Sequence, residues 1–599
     1  MGLTLRPWIP LVAALAALLA RADDSPAEWA PSDALVFVGV PDVALLQRQL
    51  DQSPAFRLMR DPAARELLAQ APIGPRLFES LRARLSLALD VPEADLRNPL
   101  GGPLCLFLAP PSDDAGAPEP VLVARVTDPA LMRQYYQRLL ARFRAASDSH
   151  ESVPFRTFSI EVFSQHRPPP ADEDSVVAEL HGLERSQSPA WLEPLLTPDA
   201  LLPRLAVCLA DDRLVVALSA ARVRAALLQD RPGSLARGDL CAALRARVQP
   251  GEVEFVVHVP AMLAMTQRRA GAEARRIADL LGLGCVRGAI GTLRVSAGDS
   301  APVLDALILT TGERQGLAAL LSCDNQPLDD MLRSSPDALV HGAVNADPAR
   351  MLADYERMLR GYDGAAADAL HAAFGSVALP DGTVLDVRND LFGALRAPLR
   401  FTLQPSPRPG APPAPLVEIG VADRAALTRL LEALRAIVPM SARDLGAAAL
   451  YELSLGRLAL AVSDERLLIG ETSAVASRAG RARVGGATSG PATSGATPPA
   501  TAPTDDEEQV CFALFVDAKR VFEAAMEFAP RRETLLAGAD PAALLALALV
   551  EHLSLDVKPG RWSEARRLAA YRSPALLTVA NRPEGFRVRL TRSPNDRQN

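Results

Sequence analysis

The chain has 599 residues, 49% hydrophobic and 23% charged, with a formal charge of −7. That is globular composition, which excludes a chain disordered along its length, and at about 150 residues per domain it suggests roughly four folding units. The acidic balance gains nothing from counterion release at a phosphate backbone, so nucleic acid is not an expected partner.

Residues 1–22 are the first recognisable element. Arg6 supplies the positive charge of a short n-region, residues 8–20 are an apolar run, and Ala20-Arg21-Ala22 has the small-x-small pattern that precedes cleavage. This is the layout of a secretory signal peptide. The run is too short to span a bilayer, which needs about 20 apolar residues, and no cysteine follows for lipid attachment. Losing residues 1–22 removes Arg6 and Arg21 and takes the charge from −7 to −9. The protein is therefore expected to be exported and released in soluble form, in the periplasm or outside the cell. No later stretch is apolar over enough length to span; residues 542–550 come closest and read as a core helix.

After the leader, strand-like runs of β-branched residues such as "ALVFVGV" and "VLVARV" alternate with amphipathic helices. Asp128-Pro129 places a cap acceptor and a first-turn proline at a helix start, followed by Leu131, Tyr135, Leu139 and Phe143 on one face. Asp347-Pro348 opens a further helix in the same way, and Asp423 takes the cap position of another. The runs "LAVCLADDRLVVAL" and "LALAVSDERLLIGE" read as hairpins around polar turns.

The second half replays the first. "SDALVFVGVPD" is echoed by "PDALVHGAVNAD", "LRNPLGGPL" by "VRNDLFGAL", and "RLAVCLADDRLVVALSAARVRAA" by "RLALAVSDERLLIGETSAVASRA". "EVEFVVHVPAML" is likewise matched by "QVCFALFVDAKRV", in the same order. The expectation is an α+β protein of two diverged copies of one module, at residues 23–325 and 326–599. Short connections predict a mainly antiparallel sheet with helices packed on one face. Residues 485–508, rich in Gly, Ser, Thr and Pro, read as a disordered surface insertion in the second copy.

The opening "PSDALVFVGVPD", the strand-to-helix step at Val126 to Asp128 and the hairpin from Asp211 to Ser219 resemble a family of exported bacterial proteins described only as a domain of unknown function. The resemblance implies a signal peptide and a repeated strand-helix module. It supplies no catalytic residues.

The chemistry-bearing residues form no recognised motif. His150, His166, His181, His258, His341, His371 and His552 make no H-E-x-x-H or H-x-H pattern. His258 and His341 sit in apolar runs, and sequence alignment of the halves puts Phe515 in the place of His258 and Phe37 in that of His341. The six cysteines contain no C-x-x-C pair and read mainly as buried thiols, with one or two disulfides compatible with export. Alignment sets Ala461 against Cys208 and Glu254 against Cys511. Gly282, Gly284 and Gly288 follow a helical pattern and read as a helix C-terminus instead of a phosphate loop. The acidic groups at Asp113-Asp114, Asp172 to Asp174 and Asp505 to Glu508 lack calcium-loop spacing, and Arg268, Arg269, Arg275 and Arg276 read as a solvated helix face. The catalytic residues stay unknown, and no cofactor or metal is expected. The leading expectation is a non-catalytic binding or assembly module with a protein or cell-envelope partner. The alternatives are a carrier or chaperone for an apolar ligand, and a hydrolase with an unrecognised site.

Overall fold

The structure, a computed structural model, describes residues 25–53, 57, 83, 85–111, 118–164, 204–229, 232–295, 303–332, 338–378, 382, 384–405, 413–453, 458–485, 509–528 and 574–592. The leader at residues 1–22, the helix expected at 542–550 and the 485–508 insertion apart from Gly485 lie outside the described residues. The fold is α+β. The chain divides into two units, Met1–Arg269 with Arg287–Leu309, and Ala270–Val286 with Thr310–Asn599. Among the described residues no helix is long and apolar enough to cross a membrane.

The first unit is built on strands β1 (Val36–Val40), β2 (Leu100–Ala109), β3 (Glu119–Val126), β4 (Ser149–Phe155), β5 (Phe158–Ser164), β6 (Arg204–Ala210), β7 (Arg213–Ala217), β8 (Val253–Val257), β9 (Val286–Arg294) and β10 (Val303–Thr310). Their spatial order is β4-β5-β6-β7-β3-β2-β1-β8-β9-β10, antiparallel from β4 through β9. The second unit holds β11 (Val340–Val344), β12 (Leu395–Gln404), β13 (Ala414–Val421), β14 (Met440–Asp444), β15 (Ala448–Leu453), β16 (Leu458–Ser463), β17 (Arg466–Glu471), β18 (Phe512–Val516), β19 (Ala575–Arg582) and β20 (Gly585–Arg592). These lie in the order β14-β15-β16-β17-β13-β12-β11-β18-β19-β20, antiparallel throughout. Strand for strand, the two units have the same order.

The longer described helices are α1 (Val43–Gln52), α2 (Pro129–Ala146), α3 (Ala220–Leu228), α4 (Asp239–Arg247), α5 (Val259–Leu280), α6 (Pro348–Tyr362), α7 (Gly364–Ala373), α8 (Arg424–Arg435), α9 (Thr472–Gly485) and α10 (Ala518–Phe528), α5 being kinked at Gly271. Asp128, Asp347 and Asp423 cap their helices as the sequence predicts, accepting from the backbone N–H of Leu131, Arg350 and Ala426 at 3.0, 2.9 and 3.0 Å. A carboxylate there satisfies a donor the helix cannot, and favours the positive end of its dipole.

The expected one-sided packing is corrected: in each unit both faces of the strands carry helices. In the first unit Phe37, Phe107, Val123 and Val215 pack with Val223 of α3 and Leu240 of α4. On the opposite face, Val40 and Leu104 meet Leu46 of α1, and Phe163 and Val207 meet Leu140 of α2. In the second unit Leu450, Ala461 and Leu468 meet Val475 of α9, while Tyr451, Val462 and Leu467 meet Leu427 and Leu431 of α8 from the other side. The reason is visible in the strands. Runs such as "LCLFLA" and "LVVA" lack alternation with polar residues, so both faces need cover. A helix's apolar stripe says that it is buried, but not on which face.

Candidate functional site

The most chemically distinctive group lies in the second unit, on the sheet face covered by α9. Arg400 of β12 pairs with Ala343 on one side and Glu418 of β13 on the other, and Thr402 pairs with His341 of β11. Directly paired residues, and those two apart on a strand, share a face. His341, Thr402, Arg400 and Glu418 therefore all point towards α9.

Glu418 is the centre of this group, with its side chain only 6% exposed. It accepts from Arg400 Nη1 at 3.1 Å and Arg478 Nη2, on α9, at 3.3 Å. Arg466 Nη1 on β17 completes the set at 3.3 Å. Arg400 also donates to the Asp330 carbonyl at 2.9 Å. Burial pulls the Arg400 pKa down and the Glu418 charge opposes it, leaving a guanidinium that stays protonated.

His341 sits beside this network, 1% exposed. Its Nε2 lies 3.0 Å from the Met331 carbonyl and its Nδ1 3.0 Å from Thr402 Oγ1. A carbonyl can only accept, so Nε2 carries the hydrogen and Nδ1 accepts from the Thr402 hydroxyl. Burial pushes the imidazole below its ordinary value, outweighing the Met331 bond that acts the other way.

A cavity of about 250 Å³ opens beside the network, lined by Arg396, Ala397, Pro398, Arg400, Glu418, Gly420, Glu465 and Arg466. The lining contains no Ser, Thr, Cys or His, hence no side-chain nucleophile apart from carboxylates. Glu418 is already held by three guanidinium groups, which suits it poorly as a base.

The first unit lacks this group at the same strand positions. Phe37 pairs with Phe107 as His341 does with Thr402, and Cys105 with Val123 as Arg400 does with Glu418. Phe37, Cys105, Phe107 and Val123 are all buried apolar residues. One strand order therefore carries an apolar layer in one unit and a charged network in the other.

A smaller polar group lies in the first unit. Glu161 of β5, 7% exposed, bonds with His150 Nε2 and accepts from Ser152 Oγ at 3.1 Å and Arg144 Nη2 at 3.3 Å. Burial pushes its carboxyl pKa up, but the His150, Ser159, Ser152 and Arg144 hydrogen bonds overcome this and hold it below the usual range. Ser152 is bonded to the carboxylate and not to the imidazole. Serine hydrolysis requires serine, histidine and acid in series, and this is a different order.

The remaining candidates are placed as follows. His371 lies 3.5 Å from Glu356, which Arg388 also pairs with. His258 is a helix cap, its Nδ1 accepting from Ala261 N at 3.2 Å. The register corrects its alignment with Phe515. His258 N donates to Leu35 O as Asp517 N donates to Leu339 O, and Asp517 likewise caps Arg520. Asp517 holds the place of His258, and Phe515 that of Val256. The same shift sets Glu254 against Ala513 in place of Cys511. Ala461 does stand where Cys208 does. All six cysteines are buried free thiols. Gly282 is left-handed, at φ +68°, just past the end of α5, as a helix C-terminus requires. Arg275 and Arg276 are exposed. His166, His181, His552 and the three acidic groups lie outside the described residues.

The Glu418 network escaped motif searching because its members are spread over four elements. A signal was available: Glu418 interrupts the apolar run "APLVEIG" and Arg400 the run "PLRFTL", each at an inward position. No family model matches the chain, and no curated protein or solved structure is significantly similar to it.

Proposed function

We propose that this is an exported, non-catalytic binding protein of two diverged copies of one α+β module, with its binding site at the arginine-lined cleft of the second unit. The common strand order supports the duplication, together with the collinear sequence matches. The leader-like residues 1–22 support export, as does the resemblance to exported bacterial proteins with a domain of unknown function. The single observation that carries the binding reading is the charged network around Glu418, facing a cavity in one unit where the other has apolar core. Burying charges costs stability unless function or specificity offsets it. The partner is a soluble ligand or a cell-envelope component carrying it.

Two experiments test this. Expression with residues 1–22 in a bacterial host should give a periplasmic or secreted chain whose N-terminus is Asp23; a cytoplasmic chain retaining Met1 removes the export reading. A thermal-shift screen of anionic, neutral and cationic small molecules should give stabilisation that Arg396→Gln abolishes. Stabilisation of every hit at full strength in that variant would rule out the cleft as the binding site.

A further inference from the structure

The charge and shape of the cleft point to one ligand class, an inference that rests on the binding reading above. We infer that the cleft takes a small oxyanion, a carboxylate or phosphate group held between Arg396 and Arg466 with Arg400 beneath. Arg396, Arg400 and Arg466 line the cleft with Glu418 and Glu465, and Arg478 reaches Glu418 as well. Three guanidinium groups thus line the cleft with two carboxylates, and Arg478 adds a fourth positive charge behind Glu418. The excess is positive and sits partly out of water, since Glu418 and Arg400 side chains are only 6% and 17% exposed. An anion entering the cleft is attracted more strongly there than at an open surface. The same excess repels a metal cation.

Arg396 is the member free to respond. Among the described residues its side chain has no ion pair or hydrogen bond. Its stem lies against Gly420, where an added Cβ would fall 2.8 Å from Arg396 Cγ and from the Arg396 carbonyl. Any larger residue at 420 would meet the Arg396 stem and the Arg396 and Ala397 carbonyls together, so the backbone of the cleft wall would have to shift. Arg400 adds a buried Nε–H with no hydrogen-bond partner, an unmet donor. A guanidinium presents paired N–H groups that match two oxygens of one carboxylate or phosphate, which ammonium groups and amides do not. A cavity of about 250 Å³ suits a ligand smaller than the drug-sized molecules that fill roughly 300–1,000 Å³.

The test is calorimetric titration of the mature full-length chain at low ionic strength with inorganic phosphate, succinate, glucose and choline. The expected result is saturable binding of phosphate, succinate or both, with Kd of about 1 mM or tighter. Binding should weaken about tenfold or more in Arg396→Gln and fall with added sodium chloride, as a partly exposed ionic contact must. Arg396 has no partner to lose, so the variant should keep its circular dichroism spectrum and Tm. Phosphate alone binding assigns a phosphate group; succinate alone assigns a carboxylate. The inference is overturned if wild type binds neither anion, or binds both equally well in Arg396→Gln. Cleft-dependent binding of glucose or choline instead would overturn the oxyanion and leave the binding reading standing. No cleft-dependent binding of any of the four would count against both.

Discussion

Glu418→Val is the most informative single perturbation of the network. It installs the residue type that the first unit has at the same position, Val123. The change removes the carboxylate that Arg400, Arg478 and Arg466 share, leaving guanidinium groups 17%, 28% and 45% exposed. Deleting one partner of a buried pair costs about 3–5 kcal/mol, because the other charge stays desolvated. Partial exposure of the arginines screens the loss, which argues for about 3 kcal/mol. The second unit has roughly 300 residues, with an unfolding entropy of about 0.6 kcal/mol/K, so Tm should fall by about 5 °C. Calorimetric unfolding against wild type under identical conditions measures this. The companion variant Glu418→Val with Arg400→Met replaces the most buried pair by apolar groups, as at Val123 and Cys105. It should recover at least half of the loss, since well-packed apolar substitutes for a buried ion pair are often neutral or stabilising. A loss below about 1 kcal/mol for the single variant, or a double variant worse than the single, would refute the reasoning.

Further outcomes follow from the same geometry. Gly316→Ala should destabilise by about 2 kcal/mol or more, because the residue is left-handed at φ +56° and a Cβ would meet Leu280 O at 2.3 Å, adding a clash to the backbone strain. Gly271→Ala, at φ +69° and ψ −151° with nothing within 4 Å, should cost the backbone strain alone, about 1–3 kcal/mol; urea midpoints compare the two. Because His341 has its pKa lowered in the folded state, the unfolded chain takes up protons first. Stability should be unaffected above about pH 6.5 and fall as the pH drops towards the folded value, and His341→Gln should flatten that slope in a pH series of melts. Glu161 has its pKa lowered as a carboxyl. Its contribution is present above about pH 4.5 and lost as pH falls through the folded value, so Glu161→Gln should reduce the acid sensitivity of unfolding. Asp423→Ala should cost about 1 kcal/mol by removing the α8 cap, read as a lower urea midpoint.

Local rules were legible wherever the determining atoms are close in sequence. Asp128-Pro129 announced α2, and the hairpin at Asp464-Glu465 was evident from two apolar runs around a polar pair. The alignment that set Phe515 against His258 failed by two residues because short apolar strands match one another at several offsets. Only the ladder bonds to Leu35 and Leu339 choose between them. The network around Glu418 was invisible as a motif for a related reason. Arg400, Glu418 and Arg466 lie on three strands and Arg478 on α9, and only strand pairing with the packing of α9 on the sheet brings them together.

Sequence by itself determined the α+β class, the capped helices and the recurrence of one order of elements, since these depend on periodicity and on side chains acting on nearby backbone. Tertiary structure decided which strands are neighbours, that both sheet faces are covered, and that one unit holds a charged layer where the other is apolar. Those outcomes depend on strand register, which is set by contacts across the sheet. A two-residue slip keeps the same faces but changes every partner, and the partners of Arg396, Arg400 and Glu418 are what make a cleft with an excess of positive charge.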